Sequence, residues 1–385
     1  GGGAEQVLIV SNGYLYLKNL EIVNGNASAG GAIFVASESE LFLEDVSFSS
    51  NTAKDMGGAI YAVSSNITLA STTFSYSVAG YGGAIFTVNS NVYGSVSVSF
   101  HGNSANYGGA VYMLSSILFG SGNMALTSNN AAENGGALYI AEDSYVGWNM
   151  QPVFPSTSQY YTSSTYSYSG KGGAIYAEDT EMSWSGSMLL KHNSAEYGGA
   201  LYLENYVNVG AKGPTTFYSN NALYDGGAIG AANEVGTYSG HSSLMINAAI
   251  NFTGNAYGGN GGAIDLSDIR IYVYGEIVFS ANSAASFGGA LYASQKVYGP
   301  TLTGVIFSKN TAEAGGAVFF SAVGTNGDDS PDYEISHSSW STFIECRFDG
   351  NSASSTGGAI HSIVGKDLVL GTNFTNNVAN FGGAL

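Results

Sequence analysis

This 385-residue chain is short of the residues that usually carry chemistry. It has one cysteine, Cys346, so no internal disulfide can form. It has only 10 Lys and Arg against 28 Asp and Glu, a formal charge of −18. That balance argues against nucleic acid and against anionic membrane surfaces, both of which need a basic face. Proline occurs only 5 times and charged residues make up 10%. No apolar run approaches membrane-spanning length, and no signal peptide opens the chain. No helical periodicity of useful length is present, and neither is a phosphate loop, a nucleophile elbow or a CxxC motif. The five histidines, His101, His192, His241, His337 and His361, share no metal-ligand spacing. Neither a cofactor nor a metal is therefore expected.

Glycine, by contrast, is abundant at 55 residues, and it is placed regularly. Gly-Gly-Ala followed by Ile, Leu or Val begins at Gly30, Gly57, Gly82, Gly108, Gly135, Gly172, Gly198, Gly226, Gly261, Gly288, Gly315, Gly357 and Gly382. Gly2-Gly3-Ala4 is a weaker copy, with Glu5 in the aliphatic place. Most intervals between copies are 25 to 28 residues, and three are longer: Gly135 to Gly172, Gly226 to Gly261, and Gly315 to Gly357. A fixed period with occasional insertions means one structural unit stacked many times, with loops grown from particular turns.

Inside each unit, apolar and polar residues alternate, as in Val46-Ser47-Phe48 and Val96-Ser97-Val98-Ser99-Phe100. A period of two means strand. Equivalent strands recurring once per unit must lie side by side and parallel. The expected fold is all-β: a single right-handed parallel β-helix over residues 1–385, of about 13 rungs, cut from a longer protein. At roughly 4.8 Å per rung it would be a rod on the order of 60–65 Å long.

Two further slots repeat. Phe stands eight or nine residues before Gly-Gly in most rungs, from Phe48 to Phe374, and should form an internal column. Three residues later come Asn51, Asn103, Asn129, Asn193, Asn220, Asn255, Asn282, Asn310, Asn351 and Asn377. Asparagine accepts a left-handed turn backbone, and in register these residues should form a side-chain ladder. Ser77 replaces Asn in one rung, and the sixth rung has lost both Phe and Asn. The glycines suit a sharp corner with close rung approach. Cys346 falls on an inward position and reads as a buried thiol.

After the aliphatic residue that follows Gly-Gly-Ala comes Phe34, Tyr61, Phe86, Tyr112, Tyr139, Tyr176, Tyr202, Tyr292 or Phe319. The same slot accepts Gly230, Asp265 and His361, so it is expected to face water. The result is an exposed aromatic stripe, built for mutual stacking or for docking sugar rings or a partner. Four N-x-S/T sequons, at Asn26, Asn66, Asn251 and Asn373, are candidate glycosylation sites. Asp328, Asp329, Asp332 and Glu334 crowd the third insertion. With no basic partner near them, they read as a solvated acidic loop ahead of calcium binding or catalysis.

Gly-Gly-Ala-[Ile/Leu/Val] paired with Phe-x-x-Asn, in this order and spacing along the whole chain, resembles the passenger repeats of the polymorphic outer-membrane protein family. The resemblance implies a surface-exposed autotransporter β-helix with an adhesive role. The expected function is a non-enzymatic extracellular or cell-surface rod that presents binding loops to other protein chains or surface glycans. The main rival is a structural protomer of an extracellular filament or coat, self-associating end to end or laterally. A polysaccharide-acting enzyme stands third.

Overall fold

In a computed structural model the chain is a right-handed parallel β-helix, with no helix among the described residues. The structure describes residues 8–148, 159–163, 166–167, 170–232, 242–265, 269–273, 275–294, 301–321, 340–363 and 366–385. The acidic residues of the third insertion lie outside them, as does much of the first two insertions.

One rung shows how sequence becomes coil. After the Gly30-Gly31 corner, Ile33–Ala36 forms a short strand. Ser37 and Glu38, both with left-handed backbone, turn the chain into the long strand Glu40–Ser49. Left-handed Asp45 bends that strand midway, and left-handed Ser50 ends it. Asn51 then leads into Thr52–Met56, which returns to the next Gly-Gly. Every strand pairs in parallel with its counterpart one rung away, as Ile33 with Ile60 and Phe48 with Phe74.

The strands that follow the glycine corners form one sheet of 13 among the described residues. The partner of Ile33 in that sheet is Leu8. The first rung therefore fills its aliphatic slot three residues later than the Gly2-Gly3-Ala4 copy implied.

Close stacking explains the double glycine. Gly57 has φ +60°, where a side chain is strained. A Cβ on Gly58 would lie 2.2 Å from the carbonyl oxygen of Gly83 in the next rung.

The core is one contiguous cluster running from Val10 to Ile360. Its spine is the phenylalanine column. Phe48, Phe74 and Phe100 stack nearly parallel at 4.8 and 5.0 Å. Phe217, Phe252, Phe279, Phe307, Phe348 and Phe374 stack likewise at 4.6–5.0 Å. In the sixth rung the backbone register sets Thr162 between Leu126 and Leu190. Near this break, Trp148 fills the interior against Gly94 and Gly120, where any Cβ would meet the indole at 2.4 Å. Its Nε1 donates to the Gly122 carbonyl. Trp184, also buried, donates to Thr215 Oγ1. Cys346 is buried, and its thiol donates to the Leu302 carbonyl at 3.3 Å.

Candidate functional site

The ten ladder asparagines lie in register at the turn after the phenylalanine column. All but Asn377 are fully buried, and Asn377 sits half-buried in the last rung. The bonding is reciprocal between rungs. Asn255 donates its backbone N–H and its side-chain Nδ2 to Asn282 Oδ1, at 3.0 and 2.9 Å. Asn282 Nδ2 donates to the Phe252 carbonyl at 2.9 Å and to Asn310 Oδ1 at 3.0 Å. The left-handed residue is the one before each asparagine, such as Ser50, Gly102, Ser219 or Lys309, and the asparagines are not left-handed themselves. Their amides are spent on bridging rungs, and the tight backbone falls one position earlier. This ladder is architecture, with no free group to offer a ligand.

A second ladder, of serine, was missed in the sequence. Ser39, Ser65, Ser90, Ser116 and Ser144 are buried at the turn between the corner strand and the long strand. The backbone N–H of each of the first four donates to the next rung's serine Oγ, at 3.1–3.3 Å. Each Oγ donates back to a carbonyl of its own turn, as Ser65 to Val63. The signal was a serine eight or nine residues after the first glycine of the corner, hidden among many other serines.

The aromatic stripe points away from the core, as alternation requires, but open exposure is not what the structure shows. Phe86, Tyr176, Tyr202 and Phe319 are only 3–4% exposed. Phe34, Tyr61, Tyr112, Tyr139 and Tyr292 are half-buried. Two packing effects account for this. Rings on adjacent rungs cover each other: Phe86 on Tyr112 at 5.0 Å, Tyr112 on Tyr139 at 4.4 Å, and Tyr139 on Tyr176 at 4.6 Å. A second file of aromatics, from the residue just before Gly-Gly, folds over the first. Tyr81 meets Tyr112 edge-on at 5.4 Å, Tyr107 meets Tyr139 at 5.9 Å, and Phe287 stacks on Phe319 at 4.4 Å. The second file was legible as Tyr-Gly-Gly or Phe-Gly-Gly, yet single-strand alternation gives no hint that it leans onto its neighbour.

Carboxylates edge this double file. Tyr107 Oη donates to Glu133. Tyr176 Oη donates to Glu204 at 2.7 Å and Glu178 at 3.0 Å. Lys171 pairs with Glu204 at 2.7 Å and lies 5.0 Å over the Tyr202 ring. The hydrogen bond to Glu133, followed by burial, pushes the Tyr107 phenol up to about 12. Burial, the leading cause, pushes Tyr112 up to about 12, with the nearby Tyr81, Glu142 and Glu178 adding to it. Tyr139 and Tyr176 are raised further, again chiefly by burial.

Beside the first insertion the turns open into a groove of about 600 Å³. Glu142, Asp143, Asp179 and Glu181 supply carboxylates, and Tyr145, Tyr206 and Asn208 line the rest. No Lys or Arg is among these lining residues. Tyr145 Oη is engaged with Ser183 at 2.8 Å, which fixes that wall. Glu142 and Asp143 come from one rung and Asp179 and Glu181 from the next, 36 to 39 residues further along, so only the coil brings the two pairs together.

Of the sequons, Asn26 and Asn373 are exposed and Asn66 and Asn251 are half-buried. The Asn66 side chain also accepts from Asn91 at 2.9 Å. Among the described residues, no three His, Cys, Asp or Glu side chains are placed to hold a metal ion.

The architecture thus defines a repeat-built parallel β-solenoid. Three stretches of it, residues 45–63, 276–294 and 345–363, each match the model of the Chlamydia polymorphic membrane protein repeat. Each match runs from the phenylalanine column, across the asparagine ladder and the glycine corner, into the strand beyond. Neither a curated protein nor a solved structure matches the chain.

Proposed function

We propose that the chain is a surface-exposed, non-enzymatic passenger β-helix that binds a protein or glycan partner. The observation that carries this reading is the match of three rungs to a polymorphic membrane protein repeat on a parallel β-solenoid. Family and fold together favour display at the outer membrane or cell surface. The groove at Glu142 to Asn208 is the place to look for binding. Its carboxylates can accept hydrogen bonds from vicinal sugar hydroxyls or pair with basic side chains, and its tyrosines offer amphipathic walls.

The test is adhesion of beads coated with the chain to cultured cells and to a glycan array. The variant Asp143→Asn/Asp179→Asn/Glu181→Gln should lose most of the bound signal while keeping its β circular dichroism. Coated beads that bind nothing would sink the adhesive reading. Binding that survives the triple variant would move the site elsewhere on the rod.

Glycosylation at the exposed Asn26 and Asn373 is proposed only for a eukaryotic host. Intact mass of secreted material carries the test, and unmodified asparagines at both positions would refute it.

A further inference from the structure

The corner tyrosines form a second feature, independent of what the rod binds. We propose that Tyr81 and Tyr107 are a built site for a covalent dityrosine cross-link, formed when the rod meets peroxide and a haem peroxidase. The two residues are direct partners across adjacent rungs, joined by a parallel bridge. Their rings lie 5.4 Å apart and within 7° of parallel. Tyr81 is 38% exposed, and Tyr107 is partly exposed beside it. An exposed side chain such as Tyr81 changes rotamer on the picosecond to nanosecond scale, so the small twist that brings its ortho carbon onto that of Tyr107 is accessible.

The reaction balances without any further reagent. Each phenol gives up one electron and one proton, leaving two phenoxyl radicals. These couple ortho carbon to ortho carbon, and the displaced ring hydrogens return to the oxygens as the rings become aromatic again. The net loss is two hydrogen atoms, which reduce one hydrogen peroxide to two waters. Glu133, already accepting the Tyr107 hydroxyl, is placed to take its proton as the electron leaves.

Other close pairs are held differently. Tyr112 and Tyr139 are nearer, at 4.4 Å, but are half-buried and clamped between Phe86 and Tyr176. Tyr176 and Tyr202 are buried outright. Tyr197 and Tyr224 are as close, at 5.2 Å, but tilted at 39° where Tyr81 and Tyr107 are nearly parallel. A chain with a single, buried cysteine has no disulfide with which to staple rung to rung. A dityrosine at this corner would close a loop of one rung and restrain the unfolded chain in the same way.

Purified chain treated with hydrogen peroxide and a haem peroxidase tests this, read by dityrosine fluorescence and by mass mapping of linked peptides. The expected result is one dominant intramolecular species joining Tyr81 to Tyr107, lighter by two hydrogens, in a rod that melts at higher temperature. Tyr81→Phe should lose most of the intramolecular signal while keeping the native melting temperature. Glu133→Gln should slow cross-linking severalfold without changing its position. Cross-links that map chiefly to other tyrosines or between molecules would overturn the proposal, as would an undiminished yield from Tyr81→Phe.

Discussion

Asn282 shows how much one side chain can hold. It makes four hydrogen bonds of 2.9–3.0 Å, two on Oδ1 and two from Nδ2, at full burial. Removing the amide orphans buried partners in two neighbouring rungs, so Asn282→Ala should cost about 3 kcal/mol in denaturant melts. Where the ladder is interrupted, the reverse holds. Ser77 Oγ is buried without a partner, although its backbone N–H still reaches Asn103 Oδ1 at 2.9 Å. Ser77→Asn would give Asn51 an acceptor and should raise stability by about 1 kcal/mol, read as a higher denaturation midpoint. Gly58→Ala has no such remedy, because its obstacles are backbone atoms: the Gly83 carbonyl at 2.2 Å and the Val78 N and O at 2.7 Å. A loss of at least about 3 kcal/mol is expected in the same melts.

Among the larger elements, the two stacks behave differently. The phenylalanine column is dry, and Phe252→Ala should cost about 3–5 kcal/mol, since its neighbours are locked by the rungs above and below. The outer tyrosine file responds to pH. The folded chain holds Tyr112 neutral up to about 12, while an unfolded tyrosine ionises near 10.0. Its contribution to stability is complete below pH 10 and is lost as pH rises from there towards about 12. An alkaline titration followed by phenolate absorbance and circular dichroism should show the stack ionising as the sheet melts. Early ionisation with the sheet intact would mean that the rings are not covered. The long-strand sheet also carries a local misfit. Val96 is β-branched, 66% exposed and left-handed at φ +64°, where a bulge shifts the register between Ser95 and Val98. The equivalent place in the preceding rungs is taken by left-handed Asn19, Asp45 and Ser71, each better suited to that backbone.

Taken whole, the molecule is a stack in which each rung contacts chiefly its neighbours. Thirteen strands at roughly 4.8 Å spacing give a sheet about 60 Å long. Electron micrographs of the purified chain should therefore show isolated short rods if its role is to display binding surfaces. Regular end-to-end fibres under the same conditions would favour the filament reading. The proposed contact surfaces both belong to this level of organisation. The acidic groove draws on three successive rungs, and the Tyr81–Tyr107 corner on two.

The repeat alone specifies the coil. Glycine pairs at a fixed spacing, alternation between them, and an in-register Phe and Asn leave little choice but parallel strands stacked at one rung's rise. That is why the fold, the phenylalanine column and the ladder positions could be read from residues such as Gly57, Phe48 and Asn51. Those features repeat along one dimension, and sequence records that dimension directly. What the sequence did not give was contact across files. Tyr81 leans on Tyr112, Glu142 shares a groove with Glu181, and the left-handed backbone falls on Ser50 in place of Asn51. These depend on how neighbouring rungs offset and on which side chains fill the space between them. Alternation could say that Tyr112 points outward, but only packing decided how little water it would meet.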